Sequence, residues 1–400
     1  MPPRPKLVLA ALWALNFTTS AQFLIVAPIL PRISEQLGVP EAWLGSLVTA
    51  YAVAFGITAL LAGPISDYIG RRKVLLFGAV GMAAALLLHG VALSYASFLS
   101  ARILAGLMSG TLSGASVAYI GDAFPYNRRG WANGWIASSM AAGQIIGIPI
   151  GAVLATATVQ TPFLALGVVC TLAAALIYRF VPQPPVERSA VLSARSSFRA
   201  YRAQLAVPHL RAAVAAYILM FFSVGSFITY LPVWLEARFE VGGAEVASLF
   251  LVGGLSNLVV GPIAGSLSDR IGRKPLVVLG SFALGVLMAA SPWIVPRFEV
   301  AYVLFFTIMV FVALRMAPQQ ALVSSLVPAS QRGTLLSLCL SFGQGGFAVG
   351  AALSGPIYTS AIGFEGCAAL AGASAIAMSG VMLIAVPEPE AEPDPAKATT

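Results

Sequence analysis

The sequence predicts an all-α protein that crosses a membrane many times. Three observations carry that expectation. Of 400 residues, 58% are apolar. Only 10% are charged, against roughly 25% in a domain whose surface faces water. Apolar runs of about 20 residues recur along the whole chain, the length needed to cross a hydrocarbon layer of about 30 Å. A mean hydropathy of +0.88 agrees with lipid as the surrounding medium. Open sheet edges cannot face lipid, so such runs must be helices. They are too long and too little alternating for the strands of an outer-membrane barrel.

Twelve spans are expected, near residues 7–30, 43–63, 74–93, 98–121, 133–156, 162–181, 212–235, 246–266, 276–295, 300–326, 334–357 and 364–386. They are numbered 1 to 12 below. The basic start, Arg4 and Lys6 before an apolar run, has no small-residue cleavage site and is read as the approach to span 1 rather than a signal peptide. A polar segment, 182–211, divides an amino-terminal bundle (1–181) from a carboxy-terminal bundle (212–386). It is read as a cytoplasmic linker, and residues 387–400, rich in Pro, Glu and Ala, as a disordered cytoplasmic tail.

Lys and Arg set the orientation. With both termini inside, 18 of the 23 basic residues fall in cytoplasmic segments; Arg32, Arg238 and Arg297 fall outside, and Arg102 and Arg315 fall within spans. That asymmetry follows the positive-inside rule and places a multi-pass chain in a cell membrane, inner or plasma. The formal charge of +8 is scattered over short loops, so no nucleic-acid surface is expected. Cys170, Cys339 and Cys367 lie far apart in apolar surroundings, with neither metal-ligand nor disulfide spacing. No metal, cofactor or catalytic residue is expected, because two histidines and no clustered carboxylates leave little acid–base chemistry in the spans. A soluble sensor domain has no room in the linker.

The two halves repeat. Pro31 recurs as Pro232, GPISDYIGRR (63–72) as GSLSDRIGRK (265–274), Pro125 with Arg129-Gly130 as Pro328 with Arg332-Gly333, and Gly143-Gln144 as Gly343-Gln344, always 200 to 203 residues on. Two parallel six-span repeats about an axis along the membrane normal follow. Within the repeated turn, Gly70 and Gly272 permit a tight reversal. Asp67 and Asp269 sit near Arg71, Arg72, Arg273 and Lys274, and such groups form charge-assisted hydrogen bonds across a junction.

These turns, Gly63-x-x-x-Asp67-x-x-Gly70-Arg71-Arg72 and Gly265-x-x-x-Asp269-x-x-Gly272-Arg273-Lys274, resemble motif A of the major facilitator superfamily, and the resemblance runs over essentially the whole chain. It implies the major facilitator fold, twelve helices in two pseudo-symmetric bundles, and a cytoplasmic gate at the turns that stabilises the outward-open state. In the second copy Pro275 stands where Lys73 stands, which implies a weaker latch. Span 4, with Arg102, Gly106 and Gly110, resembles motif B and implies a proton-transfer role for Arg102; the other reading is a cation that snorkels to the nearby interface. Asp122, in GDAFPYNRRG, is expected to pair with an arginine. Gly143, Gly147, Pro149 and Gly151 on span 5 resemble motif C of the drug:proton antiporter branch; ordinary small-residue packing is the other reading.

The implied activity is secondary transport, proton-coupled export of a small organic solute by a monomer in the lipid bilayer, with uptake or facilitated diffusion of a metabolite such as an organic anion as the alternative. The solute site is expected between the halves near mid-membrane, lined by Asn16, Gln22, Gln144, Tyr217, Tyr230, Asn257, Arg315 and Gln344. No Asp or Glu falls in the core of a span, and the two interior arginines favour neutral or anionic solutes over cations.

Overall fold

The computed structural model describes residues 2–184, 194–328 and 331–388, apart from the side chains of 126, 194–197, 262 and 269. Twelve helices within it are long and apolar enough to cross a membrane: Pro5–Leu24, Glu41–Ile69, Arg71–Val91, Tyr95–Ala123, Asn127–Leu154, Thr161–Phe180, Pro208–Phe239, Gly243–Gly261, Arg273–Ile294, Phe298–Ser325, Arg332–Tyr358 and Gly363–Ala385. Each overlaps one expected span, with ends that differ by up to about six residues; span 1, for example, stops at Leu24, and the expected 26–30 belong to the next helix.

The breaks within spans have local causes. Span 1 gives way at Ile25 to a second helix, Val26–Leu37, which carries Pro28 and Pro31. Span 7 breaks at Thr229 and Tyr230 ahead of Pro232. In span 5 a π-helical turn occupies Gly143–Gly147. Pro149 has no N–H to offer the carbonyl four residues back, so the ladder there loses a bond and the turn widens.

Two bundles pack side by side. Their exteriors expose large apolar side chains such as Phe77, Leu172, Leu279 and Ile384, the surface expected against lipid. Exposed Trp43 and Trp293 ring one end, and Trp131 and Trp135 the other, matching the aromatic belts of membrane interfaces. The polar linker is not wholly irregular. Ala194–Ala206 is a helix, and the Tyr201 hydroxyl donates to the Leu60 carbonyl of span 2 at 2.9 Å. Residues 185–193 and most of the tail, 389–400, lie outside the described residues. Glu388 is ordered against span 9, so structure continues just past residue 387.

The junction of the bundles is formed mainly by span 2 against span 11 and span 5 against span 8. It is closed at one end. Thr49 Oγ1 donates to the Ala348 carbonyl at 2.9 Å. Tyr230 donates to the Glu41 carbonyl at 2.8 Å, accepts from the Gly45 N–H at 3.1 Å, and stacks on Tyr358 with centroids 5.0 Å apart. The contact needs glycine: a Cβ on Gly355 would lie 2.3 Å from the Ala42 carbonyl oxygen. Towards the other end, which carries both termini and the 63–73 turn, the halves part. Leu60 still packs on the second bundle's core. Beyond it, a Cβ on Gly63 would meet nothing within 4 Å, and Arg332 and Gly333 at the start of span 11 are exposed.

Candidate functional site

Three constellations stand out along this one-sided junction. The first is the turn at the open end. Gly70 takes φ +99, a conformation that side-chain-bearing residues rarely adopt. The reversal brings Arg71 onto two carboxylates, Asp67 and, with Nε 2.9 Å from Oδ2, Asp122 of span 4. Asp122 thus has its arginine. Arg72 donates from Nη2 to the Tyr178 carbonyl of span 6 at 2.7 Å. Every one of these contacts stays inside the first bundle. The bonds expected across the junction are not made by the described side chains, because the halves stand apart at this end.

The second copy follows the same backbone path, with Gly272 at φ +94; the side chain of Asp269 lies outside the described residues. Here the backbone N–H groups of Arg273 and Lys274 donate to Glu388 Oε1 at 2.8 and 3.2 Å. A carboxylate on the first turn of a helix satisfies orphan donors and faces the positive end of the dipole. In the first copy the Gln183 side chain, just after span 6, lies against Gly70, with its amide donating to the Pro184 carbonyl.

The second constellation is a buried polar cluster in the first bundle. Arg102 is wholly buried, so it does not snorkel to the interface. Its Nη1 donates to Gln22 twice, to the backbone carbonyl at 3.3 Å and to Oε1 at 3.1 Å. Its guanidinium lies 4.4 Å from the Tyr51 ring centroid, within cation–π range. The Gln22 amide in turn donates to the Tyr51 hydroxyl at 2.8 Å and Ser109 Oγ at 3.1 Å. Spans 1, 2 and 4 are thereby tied without a carboxylate. Removing the partner of a buried charge is far costlier than removing an exposed one. Gln22→Leu should therefore destabilise the protein by about 3 kcal/mol, seen as a lowered thermal unfolding midpoint in detergent.

The third is the small-residue face of span 5. A Cβ on Gly143 would lie 2.7 Å from the Phe17 carbonyl oxygen, so span 5 approaches span 1 backbone to backbone. Gly147 and Gly151 continue that face against Ala21 and Ile25. The π-turn places Ile145 against Gly254 of span 8, so one helix serves both its own bundle and the junction.

The expected solute-site residues are dispersed. Asn16 is half-buried and donates to Ser116 Oγ of span 4 at 2.8 Å. Gln144 and Asn257 are half-buried. Gln344 is buried beside Gly56 of span 2, with its amide oxygen unpartnered. Tyr217 is buried and stacks on Phe221. Tyr230 stands in the closed end instead of along the pathway. Arg315 turns between spans 9 and 12 of its own bundle, its Cβ region facing Gly280 and its Nη1 reaching Met378 Sδ at 3.5 Å. Sequence reasoning missed Ser109 and Gln319. The Arg315-x-x-x-Gln319 spacing, which puts both on one helix face, was the signal for the latter.

Two parallel six-helix bundles that meet along a junction sealed at one end have the architecture of a membrane transporter. The Major Facilitator Superfamily model matches residues 12–296 and 239–400, and the chain belongs to that family. It is 29% identical over 353 residues to the uncharacterized MFS-type transporter YceJ of Bacillus subtilis (strain 168), covering 87% of this chain and 88% of that protein. It is 30% identical over 318 residues to the multidrug resistance protein MdtG of Serratia proteamaculans (strain 568), covering 73% and 75% respectively. The crystal structure of a D-xylose–proton symporter superposes with a TM-score of 0.77 at 17% identity, over 97% of this chain and 99% of that one. The protein is a multi-pass membrane transporter of small molecules and not an enzyme.

Proposed function

We propose that this transporter works by alternating access and exports a small drug-like or metabolite solute in exchange for protons. One observation carries the mechanism: the junction is sealed between residues 41–56 and 341–355 while the Asp67 turn keeps its ion pairs within one bundle. A path closed at one end at a time can move a solute without leaking it. The bundles 1–181 and 212–386 rock against each other, joined by the linker 182–211. The excess of Lys and Arg puts the turns and both termini in the cytoplasm, so the present state opens inward. In the opposite state Asp67, Arg71 and Arg72, with their second copies, close the cytoplasmic side. Arg102 and Asp122 are the groups assigned to proton transfer, and Asn16, Gln144, Asn257 and Gln344 to the solute path. Export is favoured over uptake by the likeness to MdtG, a multidrug resistance protein, and by the glycine–proline face of span 5.

Everted membrane vesicles test this. Lipophilic fluorescent drugs should accumulate inside them only under a proton gradient, and an uncoupler should abolish accumulation. Flux that ignores the uncoupler would sink proton coupling. Facilitated diffusion or uptake of an organic anion would then stand, a reading favoured by one observation: the charges buried inside the bundles are arginines.

A further inference from the structure

The two buried arginines are in opposite circumstances. Arg102 has a carbonyl, an amide oxygen and an aromatic face. Arg315 is equally buried, yet among the described residues its hydrogen-bond partner is a thioether sulfur, a weak acceptor. Its Nε and Nη2 have no partner. One helical turn on, Gln319 is also buried, and both its amide atoms are unpartnered. From span 9, Ser281 Oγ donates to the same sulfur, Met378 Sδ, at 3.5 Å. With Arg315 Nη1 also 3.5 Å from that atom, the hydroxyl and the guanidinium are at most twice that distance apart.

A buried cation without a counter-charge costs several kcal/mol, and no described carboxylate lies in the interior of a span. Arg315 and Ser281 meet at one sulfur, and Gln319 stands one turn along the same helix with its amide free; together they supply donors that an anion would satisfy. Arg315 lies ten residues, about 15 Å, from the end of span 10 on the open side.

We propose that Arg315, Ser281 and Gln319 form a binding site for a small monoanion inside the carboxy-terminal bundle, between spans 9, 10 and 12. The bound ion neutralises Arg315 and ties the three helices together. The site lies off the junction and does not depend on the direction of transport or on proton coupling. Its ligand chemistry is a single negative charge on a compact group, supplied either by an inorganic anion or by the carboxylate of a small organic acid.

Thermal unfolding of the purified full-length protein, at constant ionic strength, tests the site without any transport measurement. Sodium gluconate serves as the reference, with sodium chloride, sodium nitrate and sodium benzoate as probes. The wild-type midpoint should rise by about 4 °C or more with at least one probe. Arg315→Gln should remove that dependence, and Gln319→Leu and Ser281→Ala should each weaken the apparent affinity several-fold. Stabilisation by chloride or nitrate identifies an inorganic ion; stabilisation by benzoate alone identifies an organic carboxylate. Should Arg315→Gln fail to fold, the other two variants carry the test. Equal wild-type midpoints in all four salts, or a probe effect untouched by the foldable variants, overturns the proposal.

Discussion

Gly355→Leu should reduce transport about 100-fold while leaving the protein folded and inserted. The position faces the backbone of the other bundle: a Cβ would stand 2.3 Å from the Ala42 carbonyl oxygen, with the Tyr230 hydroxyl at 2.8 Å. Backbone atoms cannot swing aside as a side-chain tip can. The only relief is to part spans 2 and 11, which unseals that end. Each 1.4 kcal/mol against the sealed state lowers its population about tenfold, so a clash of a few kcal/mol leaves it at the per cent level. Spin labels at Trp43→Cys and Ile362→Cys, in a background with Cys170, Cys339 and Cys367 replaced by alanine, should report a longer distance. Gly345→Ala, on the same helix with open space beside it, should behave as wild type. If Gly355→Leu transports normally, the seal is not where the structure places it.

Asp67→Asn should also slow turnover, by about 10- to 100-fold, but for a different reason. In the present state the Asp67 side chain is 52% exposed and its described ion pair is with Arg71 in the same turn. An exposed pair of that kind contributes about 0.2–1 kcal/mol, and Arg71 keeps Asp122. The substitution should therefore barely change the unfolding midpoint. Its cost falls on the opposite state, where the carboxylate is proposed to bridge the halves. Labels at Lys73→Cys and Gly333→Cys should show the open end persisting when the wild type would close it. Wild-type rates in Asp67→Asn would remove the gate role from this turn.

The spans were legible because lipid imposes length and hydrophobicity on every one, whatever its neighbours. The helix Ala194–Ala206 was not. Its sequence, ARSSFRAYRAQLA, has no long apolar run, and it is docked by contacts such as Tyr201 with Leu60 that only the folded chain provides. At the candidate site, rare polar residues in apolar surroundings flagged Gln22 and Arg102, but not that they meet. Their contact joins helices 80 residues apart, and nothing local encodes it. Arg315 shows the converse limit: a charge within a span was evident, while the side of the helix it faces was decided by Gly280 and Met378. The break in span 5 needed its Pro149, which was noted, but whether the ladder kinks or widens depends on how closely span 1 crowds it.

The hold of Glu388 on the first turn of span 9 bears on anyone attaching a reporter to this protein. A fusion junction placed right after Ala385 would look harmless, since the last span is then complete. It would nonetheless strip two amide groups of their acceptor, at the turn beside Gly272. A tag meant to be silent would so become a lesion in the turn proposed to act as a gate, and a spacer that begins beyond residue 388 avoids it.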